Sequence, residues 1–232
     1  MSGMIFRRLF CSSQARDVIN STTGSDLFPD LELSKSEEDI LKRSWCLDVS
    51  DLEALAAFIY EEAFRLQPSM MQLFPSLARS KSEDSCLNAK EGPAQTHTEL
   101  RLSLQSNAHF RKMSVKLVQT LDLVMRNIDS IDRTVKPLLK KTGVHHVRFF
   151  SNGFQLCYWD AMEMGIRHGV ISYIGSKGTL AEDQVDFATA TWHKLIRWIV
   201  TYTRDGMYSA LGKRALGSRR SRSLATRDPA TK

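Results

Sequence analysis

The chain has few cysteines and no long apolar run, and each absence excludes a class of protein. Four cysteines stand far apart among 232 residues and form no C-x-x-C pair. That usage does not suit a dense disulfide framework, and it favours reduced thiols in an intracellular compartment. No stretch of about 18 apolar residues is present, so the sequence predicts no transmembrane segment. Strand-like alternation is almost absent, which favours an all-α fold.

Most of the chain carries almost no net charge, because the excess of basic residues is confined to one end. It carries 32 basic and 26 acidic residues, a formal net charge of +6. Residues 212–232 contain seven basic residues and one acid, which equals the whole excess. A nearly neutral body argues against nucleic-acid binding. The Arg-Arg-Ser-Arg-Ser run at 219–223 resembles a site for basic-directed kinases or a weak contact with an anionic surface.

Periodicity along the chain predicts one folded domain between two flexible extensions. Residues 1–33 and 212–232 contain serine, arginine and aspartate without helical periodicity. Helical patterns occupy residues 34–211, a length that suits one domain. A polar insertion without a core pattern interrupts them at 76–98. We therefore predict an N-terminal arm at 1–33, a domain at 34–211 and a basic tail at 212–232.

The N-terminal arm carries only weak targeting signals. Residues 1–16 lack the apolar centre of a secretory signal, and Ser2 in place of glycine argues against myristoylation. Arg7 and Arg8, without a nearby acid, resemble part of a mitochondrial presequence. Cys11 resembles a palmitoylation site. We expect a cytoplasmic protein, with mitochondrial import or peripheral membrane attachment through Cys11 as alternatives.

Three capping boxes predict where helices begin. A hydroxyl at the first residue of such a box accepts from the amide three residues later, and a glutamate there reaches back to the first amide. The boxes lie at 34–37, 50–53 and 179–182. Together with the apolar spacing they predict helices over 34–46, 51–66, 104–128, a short segment after Pro137, 153–168 and 181–210.

An ordered set of residues in these helices resembles the globin family. Phe64 closes an apolar run, Pro68 opens the next helix, and Phe74 follows six residues later. The segment from Phe110 to Met113 resembles the distal-helix motif. The nearest resemblance is to nematode and neuroglobin-like intracellular globins. It covers residues 34–211 and implies an all-α globin fold, a helical sandwich around heme b, in which Phe74 stacks on the heme.

Two adjacent histidines compete for the role of iron ligand that the resemblance implies. A residue four positions before the ligand shares its helical face. Counting back from His146 gives Thr142, then Leu139 at seven, with a glycine at three as in the family's Leu-Gly-x-x-His motif. Counting back from His145 places Lys141 against the porphyrin, and burying a lysine there is costly. We prefer His146, although His145 would need no insertion after the distal helix.

The resemblance also implies a distal pocket that lacks the usual histidine. Tyr60 falls where globins place a residue over the bound gas, and its hydroxyl can donate a hydrogen bond to partly negative dioxygen. Met113 occupies the place of the distal histidine, and Leu117, one turn later, supplies an apolar lid. Met113 either fills space above an open iron or ligates the iron through its thioether. His109, one turn earlier, is a further alternative ligand.

The resemblance implies reversible binding of dioxygen, or a related diatomic gas, and no enzymatic activity beyond minor redox chemistry. The missing distal histidine, Thr142 in place of leucine and the insertion at 76–98 argue against bulk oxygen transport. One alternative is an intracellular redox, electron-transfer or sensing globin with a six-coordinate iron. Another is an interaction module that has lost heme, which the presence of both Phe74 and His146 disfavours. The sequence leaves the oligomeric state open.

Overall fold

The computed structural model describes residues 31–75, 77 and 104–225, with only the backbone given for Val49 and for residues 215–225. These residues are helical and contain no strand, which confirms the predicted all-α class. The α-helices are α1 (Lys35–Ser44), α2 (Val49–Leu66), α3 (Ala108–Arg126), α4 (Lys136–His146), α5 (Cys157–Lys177) and α6 (Glu182–Ala225). Shorter 3₁₀ segments span Pro68–Leu73, Ile128–Ser130 and Val147–Asn152, and a π-helical segment spans Ile131–Val135.

The helix starts show which capping boxes form. At α1 the amide of Ser34 donates to Glu37 at 2.7 Å, and the amide of Glu37 donates back to the Ser34 hydroxyl at 3.2 Å. The α2 helix begins two residues earlier than predicted, because the amide of Asp48 donates to the Asp51 carboxylate at 3.3 Å. The α6 helix begins at Glu182, within one residue of the prediction.

Two helix ends differ from the prediction. The α5 helix begins at Cys157 and ends at Lys177, where the sequence predicts 153–168; Gly153 and Gly178, on either side of it, have positive φ of 82° and 60°. Glycine adopts this left-handed conformation without a side-chain clash and so terminates helices. The α6 helix continues to Ala225, so the backbone of residues 212–225 is helical where the sequence predicts a flexible tail.

Two apolar clusters form the core. The larger one contains Leu121, Leu139 and Trp192, and the smaller one contains Phe64 and Phe110. Three half-buried side chains pack against both clusters, namely Leu117, Phe154 and Met162. Leu31, which the sequence assigns to the flexible arm, is 9% exposed and belongs to the larger cluster. Leu77, from the start of the predicted insertion, is buried in the smaller one, while residues 76 and 78–103 lie outside the described part of the chain.

Glycines bring two pairs of helices close enough for backbones to touch. A Cβ atom on Gly143 of α4 would lie 2.8 Å from the backbone nitrogen of Met207 on α6. A Cβ on Gly206 of α6 would lie 2.7 Å from the backbone of Lys140. Lys140 also forms an ion pair with Asp205 at 2.9 Å. These contacts fix α4, the helix that carries both candidate ligand histidines, against α6.

The α2 and α5 helices cross in the same way. A Cβ on Gly165 of α5 would lie 2.6 Å from the carbonyl oxygen of Ile59, in the helix that carries Tyr60. Among the helices described, none is long and apolar enough to cross a membrane.

Candidate functional site

Three phenylalanine rings from three parts of the chain meet around Tyr60. The ring of Tyr60 lies 5.8 Å from Phe64, 5.7 Å from Phe74 and 5.2 Å from Phe110, measured between centroids. Tyr60 itself is 8% exposed. The tilted and edge-to-face arrangements are those that aromatic pairs prefer. The structure therefore places the predicted residues Tyr60 and Phe74 together, in an apolar environment.

The Tyr60 hydroxyl points toward Met113. This O–H group on α2 donates to the Met113 sulfur on α3, with 3.9 Å between the oxygen and the sulfur. Burial raises the pKa of Tyr60 to about 12, so the hydroxyl keeps its proton at neutral pH. Thioether sulfur is a weak acceptor, so this donor is available to a better one. Leu117 is half-buried and lies one turn after Met113 on α3, as predicted.

His146 makes a hydrogen bond that fixes its tautomer. Nδ1 of His146 lies 2.9 Å from the carbonyl oxygen of Thr142, one turn earlier on α4. A carbonyl oxygen only accepts, so Nδ1 carries the proton and Nε2 keeps its lone pair. Metal-ligating histidines are commonly oriented by such a bond from the other ring nitrogen. Among the described residues, no hydrogen-bond partner engages Nε2 of His146.

The surroundings of His146 favour the neutral imidazole. Burial lowers the pKa of His146 below 6.5, the hydrogen bond to Thr142 opposes that shift, and the nearby charges of Arg148 and His145 reinforce it. A neutral imidazole is the form that ligates a metal. His146 is therefore ready to coordinate at neutral pH without first losing a proton.

Trp159, for which the sequence predicts no functional role, packs against His146. The two rings lie 5.3 Å apart, and Phe149 lies 5.8 Å from His146 on another side. Phe149 also packs against the cluster that contains Tyr60, so it connects the proximal and distal residues. The indole nitrogen of Trp159 is buried and has no acceptor among the described residues. The sequence carried no local signal for it, because the contact joins α4 to α5.

His145 and His146 point into different surroundings. His145 is exposed, as predicted, and lines a cavity of 190 Å³ between α3 and α4. Leu139 and Thr142 line this cavity too. Leu139 is 1% exposed and belongs to the larger core cluster. Of the predicted contact residues, Thr142 is thus the one that the structure joins directly to His146, through its carbonyl oxygen.

The remaining described histidines form no metal site. His109 is exposed on α3, and His168 contacts Glu62 at 3.1 Å on the surface. No group of three or more histidine, cysteine or acidic side chains is placed to hold a metal within the described ranges.

Comparison with known proteins identifies the fold but no sequence family. No family model matches the chain, and the search of curated proteins finds no match. Among solved structures, the chain is similar to a hexacoordinated heme protein from an anhydrobiotic tardigrade, crystallised at pH 4. The TM-score is 0.55 at 20% sequence identity, over 75% of this chain and 95% of that one. The architecture is the all-α globin fold that the sequence predicts.

The residues present suit a heme group. His146 offers one neutral nitrogen with a free lone pair, which is the donor that a heme iron takes from a protein. The unpartnered indole N–H of Trp159 offers a hydrogen bond to an acceptor beside that ligand. Phe74 and its aromatic neighbours offer apolar surface, and Tyr60 offers a hydroxyl donor within it.

Proposed function

We propose that this protein binds heme b through Nε2 of His146 and holds dioxygen, or a related diatomic gas, next to Tyr60. The observation that carries the proposal is the hydrogen bond from Nδ1 of His146 to the Thr142 carbonyl. It leaves the Nε2 lone pair of this half-buried, neutral ring without a partner among the described residues. When bound, heme supplies the iron at which the gas is held.

Tyr60 supplies the polar contact to the gas in this proposal. Its hydroxyl is protonated and buried, and among the described residues it donates to the weak sulfur acceptor of Met113. A partly negative oxygen atom is a better acceptor than a thioether. The Tyr60 hydroxyl would therefore donate its hydrogen bond to the gas instead of to Met113. This hydrogen bond would slow release of the gas.

The aromatic cluster strengthens that hydrogen bond by excluding water. Phe64 and Phe110 are 2% and 1% exposed, and both contact the ring of Tyr60. Electrostatic interactions are stronger in a medium of low dielectric constant. We expect no enzymatic turnover, because this arrangement holds a ligand and presents no paired acid and base to transform one.

A second candidate function is redox or sensing chemistry with Met113 as a sixth ligand. The hydrogen bond from Tyr60 to the Met113 sulfur, which lies one turn before Leu117, supports this candidate. The tardigrade protein that shares the fold is itself hexacoordinated. Histidine–methionine ligation raises a heme reduction potential and suits electron transfer. In that case a gas binds only after Met113 has moved away.

Absorption spectra of the purified full-length protein test the proposal. The ferric, ferrous and carbon-monoxide forms are recorded for the parent and for His146→Ala and His145→Ala. We expect His146→Ala to lose most of its heme and His145→Ala to keep a Soret band close to the parent's. The opposite pattern would show that His145 is the ligand.

Met113→Leu separates the two candidate functions. If the distal position is open, the ferrous spectrum is high-spin in both the parent and the variant. If Met113 ligates the iron, the parent is low-spin and the variant becomes high-spin. We favour the open site, because the Met113 sulfur already accepts the hydrogen bond from Tyr60.

A further inference from the structure

The cavity between α3 and α4 has an apolar floor and apolar walls. It measures 190 Å³ and opens to the surface. Buried side chains form its floor, namely Val124, Val135 and Leu139, which are at most 1% exposed. Leu123 and Leu138 form its walls and are 40% and 42% exposed. An apolar ligand would cover both leucines.

One side of this cavity carries positive and hydrogen-bonding groups without an acid to neutralise them. Lys141 and His145 lie four residues apart on α4, so they share a helical face. Both are exposed, and neither forms an ion pair with a described residue. No aspartate or glutamate occurs between Asp132 and Asp160 in the sequence. An anion would therefore meet no repulsion from α4.

The opposite wall completes the site with residues spaced to match. Thr120 lies three and four residues before Leu123 and Val124 on α3, so all three face α4. Leu138, Lys141 and His145 repeat the same three- and four-residue spacing on α4. The cavity is thus formed by two facing helical rows, with an apolar half toward the core and a cationic half toward solvent.

We propose that this cavity binds a small apolar monocarboxylate, whose carboxylate lies between Lys141 and His145. A cavity of about 150 Å³ is large enough for a benzene ring, so 190 Å³ accommodates a ring or short chain of similar size. Lys141 supplies a charged donor, and the imidazole of His145 donates an N–H even when neutral. The apolar part of the ligand covers Leu123 and Leu138.

This site goes beyond the proposed heme function and does not depend on it. Its lining includes neither His146 nor Tyr60, although it shares Leu139 and Thr142 with the porphyrin contacts that the sequence predicts. Failure to bind heme would therefore leave the carboxylate site untouched. Failure to bind a carboxylate would likewise leave the assignment of His146 untouched.

Benzoate is the probe that tests the site, with benzamide as an uncharged molecule of the same shape. Both are titrated into the full-length protein, with and without heme, and followed by calorimetry. We expect benzoate to bind more tightly than benzamide, and Lys141→Met to weaken benzoate binding about threefold, the size typical of an exposed ion pair. Lys112→Met, which removes an exposed lysine two turns before Thr120 on α3, is the matched control and should bind benzoate as the parent does.

Thr120→Phe provides a second variant, because its ring occupies the apolar half of the cavity and should abolish binding of both probes. Equal affinity for benzoate and benzamide would refute the role of the cations. Equal losses in Lys141→Met and Lys112→Met would show a general charge effect and refute the site. Loss of benzoate binding on heme loading would show that the cavity receives the edge of the heme and is no separate site.

Discussion

Gly143→Ala is the sharpest test of how the fold positions His146. Gly143 lies on α4, where its missing side chain lets α6 approach. A Cβ at this position would contact the carbonyl oxygen of Thr203 and lie 2.9 Å from its carbonyl carbon and 2.8 Å from the nitrogen of Met207. All three atoms belong to the α6 backbone, so no side chain can rotate out of the way. The two helices must separate.

The size of the effect follows from two opposing contributions. Overpacking a tight contact costs about 1–3 kcal/mol, and the rigid backbone places this site near the upper end. Alanine is favoured over glycine in a helix by roughly 1 kcal/mol. The net loss of unfolding free energy is therefore about 2 kcal/mol. For a domain of this size, that lowers Tm by roughly 4–8 °C.

Gly175→Ala is the matched control, because Gly175 lies in α5 and has no atom within 4 Å of a built Cβ. This variant gains the helix preference without the clash, so its Tm should rise by roughly 1–4 °C. Thermal unfolding monitored by circular dichroism at 222 nm compares the two variants. If Gly143→Ala proves as stable as Gly175→Ala, the close crossing of α4 and α6 is wrong, and so is the account of how His146 is held.

Three further outcomes are expected. Tyr60→Phe should speed dioxygen release by about tenfold or more, since a hydrogen bond to a partly charged atom contributes roughly 1.5–3 kcal/mol. Stopped-flow measurements should show a smaller change for carbon monoxide. An unchanged dioxygen release rate would show that Tyr60 is not the donor to the gas. Burial lowers the pKa of His146 in the folded state, so the unfolded chain binds more protons and the heme-free protein should lose stability as pH falls below about 6.5. In urea titrations over this pH range, His146→Leu should lose less unfolding free energy than the parent. An equal loss in both proteins would refute the burial of this ring. A fragment of residues 34–211 should fold and bind heme. A fragment of residues 31–211 should have an unfolding free energy about 1–2 kcal/mol higher in the same titrations, because Leu31 is 9% exposed. Equal stability of the two fragments would show that Leu31 does not contribute to the core.

Local signals were sufficient for part of the fold. The capping box at Ser34 and Glu37 involves only residues three apart, and it forms as predicted. The box predicted at residues 50–53 competes with one at Asp48 and Asp51. Lys177 and the Tyr173 hydroxyl contact the Asp51 carboxylate from α5, at 2.6 Å and 3.2 Å, and favour the earlier start. Such long-range contacts leave no trace in the local sequence.

The end of α5 shows a different kind of error. The sequence predicts that this helix ends near Gly169, whereas the structure continues it to Lys177. Gly169 lies inside the helix because its missing side chain leaves room for Ile59 of α2. The true end, Gly178, has the left-handed conformation typical of a terminating glycine. A glycine that ends a helix and one that permits a helix crossing look alike in the sequence.

The candidate site was predictable where spacing along one element decides it. Thr142 and His146 are four residues apart, so their contact follows from helical geometry. The pairing of Tyr60 with Met113 follows from the register that the globin resemblance supplies. The contact of His146 with Trp159 depends on the path between α4 and α5, which includes a 3₁₀ segment and a left-handed glycine. No periodicity in the sequence encodes that path.

The ring contact between Trp159 and His146 gives the protein its own fluorescent reporter. The chain has four tryptophans, and one of them lies against the proposed iron ligand. A strongly absorbing group held by His146 would quench the emission of Trp159 by energy transfer. Loading and loss of such a group can then be followed continuously, in dilute solution and without a label. Trp159→Phe would remove the emission of this closest reporter, so the ligand environment of His146 can be monitored separately from the unfolding of the core around Trp192.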